Sequence, residues 1–152
     1  MKLRYILAIT GVFFLICSPA WAKMASVKGD NVNMRKGPGT NNSIIWAYDK
    51  GFPLKVINEK NQWVEVIDFE GDRGWIYRSL LSNAPHVIVK ANKGTDNKVN
   101  LRSQPSEKGK IIGKASYGVV LSRLEEKNGW LRVEHESGLK GWIKKSLVWG
   151  VE

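Results

Sequence analysis

After an apolar run from Tyr5 to Cys17, broken only by Thr10 and Gly11, no stretch of the chain repeats its apolar residues at the spacing of a helix. Short segments alternate instead. Trp63-Val64-Glu65-Val66 sets its two valines on one face and Trp63 and Glu65 on the other; Trp130-Leu131-Arg132-Val133 does the same with Leu131 and Val133. Turn formers separate such segments: Gly37-Pro38-Gly39, Lys50-Gly51-Phe52-Pro53, Glu70-Gly71-Asp72, Asn128-Gly129 and Ser137-Gly138. The pattern predicts an all-β chain of short strands.

The segments recur. A shift of 67 positions lays residues 32–81 without a gap on residues 99–148, and 19 of the 50 pairs are identical, which marks two copies of one folding unit. About five short strands in roughly 60 residues suggest a small, strongly bent barrel. The expected architecture is therefore two tandem small β-barrels, residues 23–85 and 96–152, closely packed, with residues 86–95 as the connector. His86-Val87-Ile88-Val89 is apolar and β-branched and reads as a strand that closes the first barrel or begins the second, with Asn92-Lys93-Gly94-Thr95 as the joint. Asn128-Gly129 predicts a tight hairpin because both residues tolerate positive φ, and its weaker counterpart Asn61-Gln62 predicts a loop that differs between copies. Duplication also argues against a single asymmetric active site spread over the whole chain.

The start of the chain changes the picture of where it works. Lys2 and Arg4 precede the apolar run, and Ala20-Trp21-Ala22 supplies small residues for a cleavage site, so a secretory signal cut after Ala22 is expected. The run is shorter than the roughly 20 residues that span a bilayer, and Pro19 breaks it before the cut. Ile16 is too bulky for lipoprotein processing at Cys17. The mature chain then begins at Lys23, has no transmembrane segment and has no cysteine, which excludes disulfides and thiol nucleophiles. Loss of Lys2 and Arg4 leaves 22 basic against 14 acidic residues, a net charge of +8 that favours anionic partners.

Three motifs, in order and in both copies, carry a family resemblance: Val-Asn-x-Arg-x-x-Pro (residues 32–38 and 99–105), Trp-x-x-Val (63–66 and 130–133) and Gly-Trp-Ile-x-x-Ser-Leu (74–80 and 141–147). They resemble the bacterial SH3-like (SH3b) domain over nearly all of both copies. The whole chain further resembles a family of small exported proteins of Gram-negative bacteria built from two such domains, on Arg-x-Gly-Pro-Gly-Thr (35–40), Trp-x-Tyr (46–48), Ser-Leu-Leu-Ser (79–82) and the end near Trp149-Gly150-Val151. The resemblance implies tandem SH3-like barrels, a periplasmic location and a non-catalytic binding role, directed at cell-wall peptides or glycan-linked stems.

Six tryptophans follow the signal. Trp75 and Trp142 are expected to fill the two cores, since one large aromatic supplies much of the burial a small barrel can manage. Trp63 and Trp130, opposite their strands' aliphatic residues, are candidates for a ligand groove. Trp46 and Tyr48 meet Gly113 and Ala115 in the second copy, which suggests a task of the first barrel alone, either ligand contact or packing against its sister. A ligand site centred on Trp46, Tyr48 and Trp63 is expected, with the second barrel giving basic surface and support. Arg35 and Arg102 precede the long loop of each copy; they either hold loop carbonyls or clamp a ligand carboxylate.

No catalytic pattern emerges. His86 and His135 do not recur between copies, and there is no Gly-x-Ser-x-Gly elbow and no histidine pair at metal-ligand spacing. No cofactor or metal is expected. The partner is expected to be a cell-wall peptide or glycan, or else another envelope protein taken up at an exposed strand edge. Nucleic acid, for which a basic barrel with aromatics would serve, is set aside because of the export signal.

Overall fold

The computed structural model describes residues 23–151; the expected signal and its cleavage site lie outside the described residues. The first half forms β1 (Met24–Val27), β2 (Val32–Arg35), β3 (Ile44–Tyr48), β4 (Pro53–Lys60), β5 (Trp63–Ile67), β6 (Arg73–Tyr77), a 3-10 turn (Arg78–Leu80) and β7 (Leu81–Ser82). The second half forms β8 (His86–Val89), β9 (Val99–Arg102), β10 (Ile111–Ala115), β11 (Val120–Lys127), β12 (Trp130–Glu134), β13 (Lys140–Lys144), a 3-10 turn (Lys145–Leu147) and β14 (Val148–Trp149). Each half is one seven-stranded antiparallel sheet, in the order β3-β2-β6-β5-β4-β1-β7 and β10-β9-β13-β12-β11-β8-β14. The two orders are the same arrangement twice.

Alternation sets the cores. Val64, Val66 and Ile76 point inward with Val32, Met34 and Leu54, and Leu131, Val133 and Ile143 do so with Val99, Leu101 and Leu121. One long strand in each half serves two neighbours. Pro53, Leu54 and Lys55 pair with β1, while Lys55 to Lys60 pair with β5, and the register shifts between Val56 and Asn58. β11 shifts at the equivalent place, between Arg123 and Glu125. A bulge bends the strand that carries it, which lets it belong to two parts of a curled sheet.

The β4–β5 and β11–β12 hairpins keep one register, Lys60 opposite Trp63 and Lys127 opposite Trp130. Asn61 (φ 54°) and Asn128 (φ 50°) are both left-handed. They differ at the next residue, where Gly129 is also left-handed (φ 78°) and Gln62 is not.

The strand His86–Val89 pairs with β11 and β14, so it begins the second sheet, as β1 begins the first. Residues 92–95 therefore form a loop inside the second sheet, correcting the expected joint; the passage between sheets is residues 83–85. That passage is pinned. Ser26 Oγ donates to the Ala84 carbonyl at 2.8 Å and lies 3.1 Å from His86 Nδ1, and the Arg123 amide donates to the Pro85 carbonyl at 2.9 Å. Farther along the seam the Phe69 ring lies 5.3 Å from that of Tyr117, and Glu70 accepts hydrogen bonds from both Tyr117 and Lys93.

Trp75 and Trp142 do not fill the cores. The inward places on β6 and β13 belong to Gly74 and Ile76, and to Gly141 and Ile143. Parity sends the tryptophans to the outer face, half-buried beside their cross-strand partners Arg35 and Glu65, and Arg102 and Arg132.

Candidate functional site

The β5–β6 hairpin turns Trp63, Glu65 and Ile67 outward, and β6 sets Tyr77, Trp75 and Arg73 directly opposite them. Residues opposite each other on an antiparallel pair share a face and touch. The Trp63 and Tyr77 rings accordingly meet edge-to-face at 5.4 Å, with Tyr77 39% exposed. Arg73 donates to Glu65 at 2.7 Å and holds that carboxyl below its usual range. An aromatic surface thus lies beside a fixed ion pair. Tyr77 was legible only indirectly: it stands two residues after Trp75 and so shares its face, but its partnership with Trp63 comes from the hairpin register.

In the second repeat Trp130 holds the place of Trp63, and Lys144 that of Tyr77. The ammonium of Lys144 stands 5.9 Å from the Trp130 ring and is bonded to Glu107, which it holds below the usual carboxylate range. Trp130 is buried and lines two open grooves of about 830 and 360 Å³. Lys108, Lys144 and Lys145 border the larger. The counterparts in the first repeat are Asn41, Tyr77 and Arg78.

The expected centre on Trp46, Tyr48 and Trp63 is not assembled. Tyr48 is buried in the first core, its hydroxyl donating to Asp68 Oδ2 at 2.9 Å. Burial first, and then Asp68, push its phenol above the ordinary value of 10.0. Trp46 points to the same side but over the sheet's edge, 53% exposed, with its indole donating to Asp72 Oδ2 at 2.7 Å. Trp63 lies at the far end of the same hairpin, where it pairs with Tyr77 rather than with residues near the 68–72 turn. Four residues of strand, roughly 13 Å, separate the two ends. Trp46 and Tyr48 brace the 68–72 turn, whose tip, Phe69 and Glu70, packs on the second repeat. Trp46 and Tyr48 bond within their own domain, to Asp72 and Asp68, and it is Phe69 and Glu70 at the tip of the turn that touch the second repeat.

Arg35 is likewise engaged. Its Nη1 donates to the Thr40 carbonyl at 2.9 Å and the Asn42 carbonyl at 2.8 Å, and Arg102 Nη1 donates to the Gly109 carbonyl at 2.8 Å. These guanidiniums hold the long loops closed, a use that tolerates any loop sequence because backbone carbonyls are the acceptors.

The family model described as the bacterial SH3 domain matches residues 28–83 and again residues 95–150. The chain belongs to the bacterial SH3 domain family. Both of its SH3 domains align with a protein of Bacillus subtilis named as an N-acetylmuramoyl-L-alanine amidase (YrvJ), 23% identical over 159 aligned positions. The alignment takes in 97% of this chain and 30% of that protein, so the tandem domains span less than a third of the relative's length. Among solved structures, an NlpC/P60 family protein from Bacillus cereus is 20% identical with a TM-score of 0.38, covering 84% of this chain and 56% of its own. NlpC2 from Trichomonas vaginalis is 18% identical with a TM-score of 0.37, covering 84% and 48%. No helix among the described residues is long and apolar enough to cross a membrane.

Proposed function

We propose that this tandem SH3 protein is an exported, non-catalytic binding module of the cell envelope, with the Trp63–Tyr77 surface and the Trp130 groove as its contacts to cell-wall glycan or peptide. The observation that carries the reading is the Trp63–Tyr77 pair on the outward face of the β5–β6 hairpin: Trp63 lies outside its domain's apolar core cluster, and its ring meets a Tyr77 that is 39% exposed. An aromatic pair on the outer face of a hairpin offers apolar surface to something outside the domain. Support also comes from the aligned relative, whose name specifies an amide between muramic acid and L-alanine, the linkage of a wall glycan to its peptide. The net charge suits an anionic envelope. Export through the leader, with cleavage after Ala22, belongs to the same proposal; amino-terminal sequencing of envelope-derived protein is expected to begin at Lys23.

Single Trp63→Ala and Tyr77→Ala substitutions test the site. Each is expected to weaken retention on purified sacculi by about 1 to 3 kcal/mol, as for an anchor aromatic at an interface, with thermal unfolding nearly unchanged. Undiminished retention by folded variants would remove the site.

A second reading, capture of another envelope protein, is favoured by the edge strands. β3 and β10 end their sheets and expose Ile44 (51%) and Ile111 (44%). Apolar edges invite strand addition. Retention of envelope protein that is lost on Ile44→Lys, with sacculi binding intact, would favour this reading.

A further inference from the structure

The first domain contains an open groove of about 870 Å³ away from the aromatic hairpin face, bounded by β1, the far half of β4 and β7. Ala25, Val56, Ile57, Val64 and Leu81 are its apolar lining residues, and Lys23 and Lys28 line it as well. Its size falls within the roughly 300 to 1,000 Å³ of small-ligand sites.

The second repeat shows that this space is a matter of residue choice. β8 matches β1 in register, Val87 opposite Leu121 as Ala25 is opposite Leu54, so the lining can be compared position by position. Ala25, Val56, Val64 and Ser82 correspond to the larger Val87, Arg123, Leu131 and Trp149, while Lys23, Leu81 and Asn83 correspond to the smaller Pro85, Val148 and Gly150. Larger residues line the same place in the sister fold, so small ones are not a requirement of the architecture.

Charge and backbone narrow the occupant. Arg78 is tied to Glu59 by paired bonds of 3.0 and 2.6 Å, so the two charges largely satisfy each other. Among the described residues neither Lys23 nor Lys28 forms an ion pair; Lys23 stands near enough to Glu59 to help Arg78 hold that carboxyl below its usual range, and Lys28 completes the positive rim above the apolar lining. β7 ends the sheet and pairs only with β1 among the described strands; the Leu81 amide on its outer side donates to the Arg78 carbonyl within the 3-10 turn, so that edge offers an added extended segment the Leu81 carbonyl as acceptor. We infer that the groove binds a short extended peptide with small apolar side chains and a free carboxylate, the carboxylate lying at Lys23 and Lys28. The inference deepens the envelope-binding reading by naming a ligand class, and it uses residues separate from Trp63 and Tyr77.

The test is a titration of the purified protein with N-acetyl-trialanine and with its C-terminal amide, followed by methyl resonances of Ala25, Val56 and Leu81. The acid is expected to shift these signals and to bind at least fivefold more tightly than the amide. Lys28→Gln is expected to weaken the acid at least threefold, and Ser82→Trp, which copies the second repeat, to abolish binding; Lys114→Gln, on the second domain, is expected to leave it unchanged. Lys28→Gln is a surface change that keeps the test valid should Ser82→Trp fail to fold. Equal binding of acid and amide, shifts confined to other residues, or an unaffected Lys28→Gln protein would overturn the inference. Peptide binding without retention on sacculi would defeat only the envelope reading, and retention on sacculi without peptide binding only this one.

Discussion

The turn at residues 68–72 of the first domain and its counterpart at 135–139 in the second solve one problem with opposite chemistry. In the first, buried Asp68 accepts from the Tyr48 hydroxyl and from the backbone amides of Glu70 and Asp72, and Asp72 in turn receives the Trp46 indole. In the second, Leu139 lies against Gly113, where a Cβ would come 2.5 Å from the leucine methyl, and the side chain of half-buried His135 bonds to Ser137 nearby. Trp46 with Asp72 has become Gly113 with Leu139, and Tyr48 with Asp68 has become Ala115 with His135. Residues that face each other change together, because a large donor needs an acceptor and a leucine needs space. The difference also separates roles: the polar turn carries Phe69 and Glu70 to the domain seam, whereas the apolar turn has Glu136 and Ser137 at its tip.

The largest test of this contrast is Asp68→Ala against His135→Ala. Removing Asp68 leaves a buried hydroxyl and two amides without their acceptor, and a loss on the order of 3 kcal/mol in denaturant unfolding is expected. His135→Ala is expected to cost under about 0.5 kcal/mol. Equal losses would mean that the two turns are braced alike.

Glycine at the middle of β6 and β13 gives an intermediate effect. A Cβ on Gly74 would lie 2.7 Å from the Arg35 carbonyl oxygen and from Met34 Cγ, whereas one on Gly141 would find its nearest neighbours at 3.2 Å. Gly74→Ala is expected to destabilise by about 2 kcal/mol through backbone displacement, and Gly141→Ala by less than about 1 kcal/mol. Matching unfolding midpoints for the two variants would contradict the tighter crossing in the first domain.

Tyr48→Phe sharpens the comparison most finely, at about 1 kcal/mol below pH 10.0 for the lost hydrogen bond. Because the phenol is raised in the folded state, its neutral form is the one the fold favours. That contribution is complete below the ordinary value of 10.0 and declines as pH rises above it toward the folded value. The stability gap between wild type and Tyr48→Phe is therefore expected to narrow above pH 10.0, measured by urea unfolding across alkaline pH. A gap that stays constant would show that Tyr48 titrates as freely in the fold as outside it.

The sequence alone determined the duplication, the strand-rich SH3 architecture and the hairpin at Asn128-Gly129, because these are local or repetitive: period-two alternation, turn residues and self-similarity are all written within a few positions. One use was legible as an alternative, the arginines on loop carbonyls, since residue type restricts partners without choosing among them. Which face of each strand is covered was decided by the tertiary structure. Alternation places Trp63 and Trp75 opposite Val64 and Ile76, but only the pairing of β5 and β6 with each other and of β2 with β6 fixes that Gly74 lies inward, Trp75 beside Arg35 and Trp63 against Tyr77. The assignment of His86–Val89 to the second sheet, the seam at Phe69 and Tyr117, and the groove between β1, β4 and β7 were fixed there as well. Each depends on residues brought together from distant parts of the chain, and long-range packing leaves no periodic mark on the segments it joins.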